Sequence, residues 1–420
     1  MTFADPGRGV GWNPRASRSA RWRLGRMRRL LELMGDPDER MRIVLVAGTK
    51  GKGSTAAFLA SILHSAGVTA GLFTSPELQV FRERVRVDGV MLPPAEFGRA
   101  IRRLRPVVAG LRRRHPAAGD PTAFELTLAL ALRAFADAGC AVAIIEVGLG
   151  GRLDATNALD PAVSVLTAVS HDHTAILGRS LSAIATEKAG IVRRGRPAII
   201  APQRPAALAA IRRACRQAGA DVVLVRPMAA AAHLGLVGGH QRENAALAVA
   251  AARALASAGL EIPEHAYAAG LRRVVWPGRF ERVGRRPGVI IDGAHNDASA
   301  AALARALRAE RRGRRLVLVV GLNRDKDARA VLAPLARLAS EIVATRSSDL
   351  RAAAPSEVGR QAGRLTRHPV QIAADVGSAL ALARQRAGAT GLVCVTGSLA
   401  LAGAARTALG LPPRERWWRR

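Results

Sequence analysis

The chain of 420 residues is 49% hydrophobic but only 3% aromatic, and it carries a formal net charge of +32. That length and apolar content suffice for two domains with cores of Ala, Val and Leu, and charges break every apolar run short of the about 18 residues that cross a bilayer, which excludes a membrane-spanning protein. Three scattered cysteines, Cys140, Cys215 and Cys394, exclude a disulfide framework or a zinc site and read as small buried hydrophobes in a reducing, cytoplasmic compartment.

Along the chain, Arg15, Arg18, Arg21 and Arg23 form a basic lead-in to a helix around 27–33. An apolar run over 42–48 predicts a buried strand, and 54–66 predicts the helix after it. Between them stands "VAGTKGKGST", which departs from the usual phosphate-loop pattern: Gly48 and Gly51 are too close, and Gly53 occupies the place of the hydroxyl residue. Strand, Gly-rich turn and helix nevertheless aim backbone N–H groups and the positive helix end at an anion. Further strands are expected over 69–73, 141–147, 163–168, 197–201 and 221–225, with helices between them, notably 122–137 and 244–257. Ser75, Glu146 and the group His171, Asp172 and His173 follow three of these strands. Singly they read as a turn serine, a strand-end carboxylate and loop histidines. Together, at the edge that carries the loop, they offer oxygen and imidazole to a magnesium ion that also takes nucleotide phosphates.

The stretch "VGRRPG", 283–288, reads as a linker because Gly and Pro punctuate it. Beyond it, strands over 289–292, 316–320, 341–344 and 392–396 alternate with helices. The expected fold is α/β: a P-loop-type ATPase domain with a largely parallel sheet over 1–282, and a smaller Rossmann-like α/β domain over 289–420, with a ligand in the cleft between them.

The charge is unevenly written. Only Lys50, Lys52, Lys188 and Lys326 are lysines among the 64 basic residues. The arginines lie dispersed on helical patterns, such as Arg102, Arg103, Arg112 and Arg113, and read as a solvated surface with weak nonspecific affinity for polyanions. Only the tail "RERWWRR" interleaves basic with aromatic residues. Arginine is a poor substitute where a compact ammonium or a deprotonatable amine is required, so two lysines in one Gly-rich loop favour a functional loop.

"GTKGKGS" is similar to the G-T-N-G-K-G-S loop of folylpolyglutamate synthases, commonly bifunctional with dihydrofolate synthase, in the Mur-ligase-like superfamily of ATP-dependent amide ligases. The resemblance continues through "TSPELQVFRERVRVDG", "TAFELT", "IIEVGLGGRLDATN", "SHDHTAILG", "IATEKAGIV", "GGHQRENAALA", "WPGRFERV", "IDGAHND" and "VTGSLALAG", and so covers almost the whole chain. It implies ATP and Mg2+ as cofactors and an acceptor carboxylate that ATP phosphorylates and the amine of L-glutamate attacks. Gly48, Thr49, Gly51, Lys52, Gly53 and Ser54 would hold the phosphates, with Lys52 on the transferring group. Ser75, Glu146 and His173 match the family's magnesium ligands. Lys188 matches a lysine that is carbamylated in some members and then holds the second metal, which arginine could not do; the alternative is an ion pair with Glu187 or Asp172. Asp292 and His295 match residues that meet ATP across the cleft, Arg279 one that reaches the phosphates, and Asn244 one near the adenine. Ser398 resembles a residue at the glutamate end of the site, although a helix N-cap serves equally well. Phe81, Arg84 and Phe124 are expected at the pterin or pteroate, and Lys326 falls in a family turn motif with no role assigned. Two departures stand out: Lys50 stands where the family usually has Asn, and Glu77 replaces the His usual in its "TSPHL" motif. They leave open a Mur-like ligase with a non-folate acceptor. The expected partners are dihydropteroate or tetrahydrofolate, L-glutamate and ATP, with no specific nucleic acid and no membrane, in a monomer.

Overall fold

The computed structural model describes residues 20–418. Arg15 and Arg18 of the basic lead-in, and Arg419 and Arg420 of the tail, lie outside the described residues. The helix Ala20–Glu32 buries Met27, Leu30 and Leu31 against the first core.

Two sheets divide the chain. The first contains β1 (Arg42–Ala47), β2 (Ala70–Phe73), β3 (Val85–Val87), β4 (Val90–Met91), β5 (Val142–Glu146), β6 (Pro161–Leu166), β7 (Pro197–Ile200) and β8 (Asp221–Leu224), in the order β4-β3-β2-β5-β1-β6-β7-β8. β2, β5, β1, β6, β7 and β8 are parallel; β3 and β4 add an antiparallel edge. β1 explains why so apolar a run is needed at the centre. Ile43, Leu45 and Ala47 enter the core on one face, while Val44 and Val46 enter the core on the other, so a strand covered on both sides reads as a continuous hydrophobic stretch. The helices Lys52–Ser65 and His240–Ser257 cover one face, and Ala123–Asp137 covers the other. Thr122 and Glu125 start the last of these with a reciprocal capping box.

The second sheet holds β9 (Glu281–Val283), β10 (Gly288–Ile291), β11 (Leu316–Val320), β12 (Glu341–Ala344), β13 (Val370–Ile372) and β14 (Leu392–Thr396), in the order β13-β12-β11-β14-β10-β9. It is parallel except at β9. This corrects the linker expected over 283–288. Val283 pairs with Val289 across an antiparallel hairpin, so Gly and Pro punctuate a turn inside the second sheet, and the chain changes sheets upstream, between Val274 and Phe280.

The tail brings a second correction. The second domain is expected over 289–420, but the tail does not stay with the second sheet. It crosses back, forming bridges Val90–Arg416 and Val274–Trp418, and buries Trp417 and Trp418 in the core of the first unit. Arg86 lies beneath it, 1% exposed, donating to the carbonyls of Gly89, Arg414 and Glu415. The three cysteines are free and buried. Among the described residues no helix is long and apolar enough to cross a membrane.

Candidate active site

β1 delivers the chain into the loop, and contacts on both sides dictate its glycines. A side chain on Gly48, where φ is +146°, would place Cβ 1.8 Å from Thr167 Oγ1; one on Gly51, where φ is +90°, would place it 2.1 Å from Asn244 Oδ1. Only glycine fits either backbone conformation and either space. The N–H groups of Thr49 and Lys50 both donate to Ala168 O at the end of β6, at 3.0 and 3.2 Å. Thr49 Oγ1 donates to Ser170 O. With its first half tied down, the loop opens into the helix at Lys52, whose first amides have no partner within the helix and face an incoming anion.

Lys52 Nζ lies 3.7 Å from Glu146 Oε1. Glu146 ends β5 and is 6% exposed; burial raises its pKa, against the pull of Lys52. Its other oxygen accepts the Ser75 N–H at 3.4 Å. Ser75 and Glu146 therefore stand together beside Lys52, lining a pocket with Gly53, Trp276 and Arg279. Lys188 lies on the other side of the loop, at the end of the helix Leu181–Ala189. Its Nζ donates to Gly48 O at 3.0 Å, and burial followed by repulsion from Lys52 lowers its pKa to about 7. Neither alternative ion pair forms: Glu187 is paired with Arg152 at 2.7 Å, and Asp172 is paired with Lys50 and Lys326. His173 adopts a left-handed conformation, φ 50°, and is exposed at the rim. Among the described residues no three His, Cys, Asp or Glu side chains form a cage for a metal. The chemistry of the donors still fits magnesium, which keeps waters and phosphate oxygens as ligands and needs few from the protein.

The second sheet presents the opposite wall. Asp292, at the end of β10, accepts the N–H groups of Phe280 and Ala294, both at 2.8 Å. Burial raises its pKa, against Arg279. Arg279 feels Asp292 from its own side and Glu146 from the other, both opposing the lowering that burial causes. His295 Nδ1 bonds Gly293 O at 2.8 Å, and its Nε2 lies 3.0 Å from Lys50 Nζ. Burial and then Lys50 push its pKa down to about 3, so the ring is neutral. Asn244 braces the loop from behind, its amide donating to Gln241 Oε1.

The remaining expected residues are dispersed. Ser398 accepts the N–H of Leu401 at 3.0 Å and caps the helix Leu399–Ala408. Arg84 is paired with Glu77 and lies over the Phe81 ring, 4.7 Å from its centre. Phe124 packs edge-on to Phe73. Sequence reasoning named Asp172 only as an alternative partner of Lys188, not of Lys50 and Lys326, and passed over Asn296 at the cleft and Trp276, whose ring lies over Gly53. It assigned no role to Lys326. The rarity of lysine was the available signal for Lys50 and Lys326.

The Mur ligase middle domain family matches residues 46–226, and the Mur ligase glutamate ligase domain family matches 278–399. A dihydrofolate synthase/folylpolyglutamate synthase of Bacillus subtilis is 36% identical over 344 residues, 76% of this chain and 80% of that protein. The chain belongs to the folylpolyglutamate synthase/dihydrofolate synthase family. Among solved structures, Mycobacterium tuberculosis folylpolyglutamate synthase complexed with ADP matches with a TM-score of 0.86 at 34% identity, covering 93% of this chain and 95% of that one. The bifunctional synthase of Yersinia pestis, complexed with AMPPNP and a Mn ion, gives 0.80 at 30% identity, covering 92% and 93%. This synthase is accordingly an ATP-dependent, amide-forming ligase that adds glutamate.

Proposed function

We propose that the enzyme joins L-glutamate to a folate-type carboxylate, that of dihydropteroate, of tetrahydrofolate, or of both. The observation that carries this reading is the phosphate loop itself: glycines fixed by contact, open amides at the helix start, and Lys52 beside Glu146, all facing Arg279, Asp292 and His295 across one cleft. The N–H groups of Gly51, Lys52, Gly53 and Ser54 cradle the phosphates of ATP, with Gly48 and Thr49 shaping the turn. The Lys52 ammonium follows the transferring phosphoryl group, where charge develops. The acceptor carboxylate takes that group, releasing ADP. The glutamate amine then attacks the acyl carbon, the amide bond forms and phosphate leaves.

Ser75, Glu146 and His173 would hold Mg2+, and Lys188 a second ion once its amine has added CO2 to become a carbamate. Bound there, the metal would neutralise phosphate charge and orient the transferring group. Lys188 suits this role because its buried amine has no carboxylate partner and is drawn toward the neutral form, the form that adds CO2. Arg279, between Asp292 and Glu146, would approach the phosphates, and Asn244, behind Gly51, would border the adenine. Asp292 and His295 would meet ATP from across the cleft, and Ser398 would face the glutamate end. Phe81, Arg84 and Phe124 would flank the pterin or pteroate, with Glu77 neutralised by Arg84 rather than presented to the acceptor. Free buried cysteines fit the cytoplasm, and a cleft lined by residues of one chain supports a monomer.

The test is ADP release with ATP, magnesium and glutamate in the presence of dihydropteroate, tetrahydrofolate or no acceptor. Stimulation by both acceptors makes the enzyme bifunctional, and stimulation by one assigns it that step. Stimulation by neither overturns the folate reading and points to another carboxylate.

A further inference from the structure

All four lysines of this arginine-rich chain meet at one cleft. Lys52 and Lys188 belong to the phosphate machinery, but Lys50 and Lys326 come from opposite walls and share one carboxylate. Lys50 Nζ donates to Asp172 Oδ2 at 3.0 Å. Lys326 Nζ, from the loop after β11, donates to Asp172 Oδ1 at 3.2 Å and also pairs, on its own wall, with the exposed Asp325 at 3.1 Å. Asn296, at the start of the helix Asp297–Arg311, donates its amide to Asp172 Oδ2 at 3.3 Å. The three charged side chains are 21%, 12% and 10% exposed for Lys50, Lys326 and Asp172, so the cluster is sheltered from screening. Asp172 hangs from the end of β6, on the same side of the cleft as Lys50; Asn296 and Lys326 belong to the second sheet.

We propose that Asp172 is the catch of a clasp that holds the two domains closed over the phosphate loop, and that Lys50 is a positioning residue for ligation rather than a second phosphate-binding lysine. Its backbone sets its direction. The Lys50 N–H is spent on Ala168 O, outside the row of amides that begins with the helix, and its side chain reaches over the cleft rather than into the cradle. Its Nζ also donates to His295 Nε2 at 3.0 Å. Because His295 Nδ1 gives its proton to Gly293 O, the ring is locked in one tautomer and one orientation by contacts from both domains. Lys50 thus does two things with one ammonium: it closes the catch on its own wall and fixes the ring on the other. An asparagine side chain is shorter than lysine's and carries no ammonium, so Lys50→Asn removes the charge that makes both contacts.

The proposal rests on the reading that the loop holds ATP phosphates, and its test separates the two. Lys50→Asn, Lys326→Met, Asp172→Asn and the double variant Lys50→Asn/Lys326→Met are compared by calorimetric titration with ADP, by steady-state ADP release, and by small-angle scattering in saturating ADP. A clasp predicts ADP affinity within about twofold of wild type, which also shows that the variants fold. It predicts kcat lowered about tenfold in each single variant, and a larger scattering radius than wild type. The double variant should be no worse than the poorer single, because both lysines act through one carboxylate. Wild-type kcat in Lys50→Asn overturns the proposal. So does weakened ADP binding in Lys50→Asn with multiplicative losses in the double variant, since that is the behaviour of a phosphate ligand. If wild type turns over no folate acceptor, the function reading fails while the scattering and ADP binding still decide the clasp.

Discussion

Lys188 is the residue at which chemistry and packing separate most cleanly. Buried at 5% exposure, with its ammonium on a single carbonyl, it has no carboxylate to compensate for lost hydration, an arrangement that disfavours a permanent charge. Lys188→Arg keeps a cation but removes an amine able to add CO2, and it asks a planar, bulkier group to fit against Gly48. We expect turnover to fall by about a hundredfold or more, the scale of losing electrostatic stabilisation at the reacting group. Added bicarbonate should restore nothing in this variant. ADP release measured at saturating substrates checks this, and a variant with near wild-type turnover would remove the carbamate from the mechanism. The same residue shows what sequence could and could not say. Its rarity flagged it, but an ion pair with Glu187 or Asp172 stayed open until the structure showed both acids already engaged by Arg152 and by Lys50 with Lys326.

At the scale of elements, the strands buried on both faces were legible because nothing else tolerates such runs: "RIVLVA" and "VAIIE" could only be central strands. The short strands β3, β4, β9 and β13 were not legible. Two or three residues make a strand only when a neighbour supplies the hydrogen bonds, and β9 exists because β10 lies beside it. The tail's place was not legible for a related reason, since a stretch rich in Arg and Trp does not reveal which sheet it packs against. Here the partner is the first sheet. Trp417 is 4% exposed, with the Arg86 guanidinium 3.9 Å from its ring centre and Trp276 against its edge. Since the Trp276 ring in turn covers Gly53, the tail supports the phosphate loop from outside the second sheet. Trp417→Ala should destabilise the protein by about 3–5 kcal/mol, the usual loss for a buried tryptophan, and lower kcat as Trp276 loosens. Thermal unfolding reads the first effect. An unchanged melting temperature would mean that the tail is a passenger.

The whole molecule carries a charge that its function does not require of every residue. Arginines such as Arg103, Arg112 and Arg282 lie about half exposed or more in pairs with Asp137, Asp120 and Glu310, and exposed pairs of this kind contribute little. The lysines instead gather at the cleft, with Arg279 beside them. Every substrate of the proposed reaction is an anion: ATP, the acceptor carboxylate and glutamate. A cleft lined by cations within low-dielectric walls raises the local concentration of such ligands, whereas the dispersed arginines create only a diffuse field. That distinction predicts how the protein meets nucleic acid. It should be retained on immobilised duplex DNA at low salt, without regard to sequence, and be released by about 0.2–0.3 M NaCl as counterions compete. Release should follow the same salt profile for Lys50→Asn, because the cleft lysines are turned inward and contribute little to the outer field. Retention that survives higher salt, or that discriminates between DNA sequences, would show that the arginines form a dedicated surface. The positive charge would then belong to a second activity rather than to the solvated exterior of a ligase.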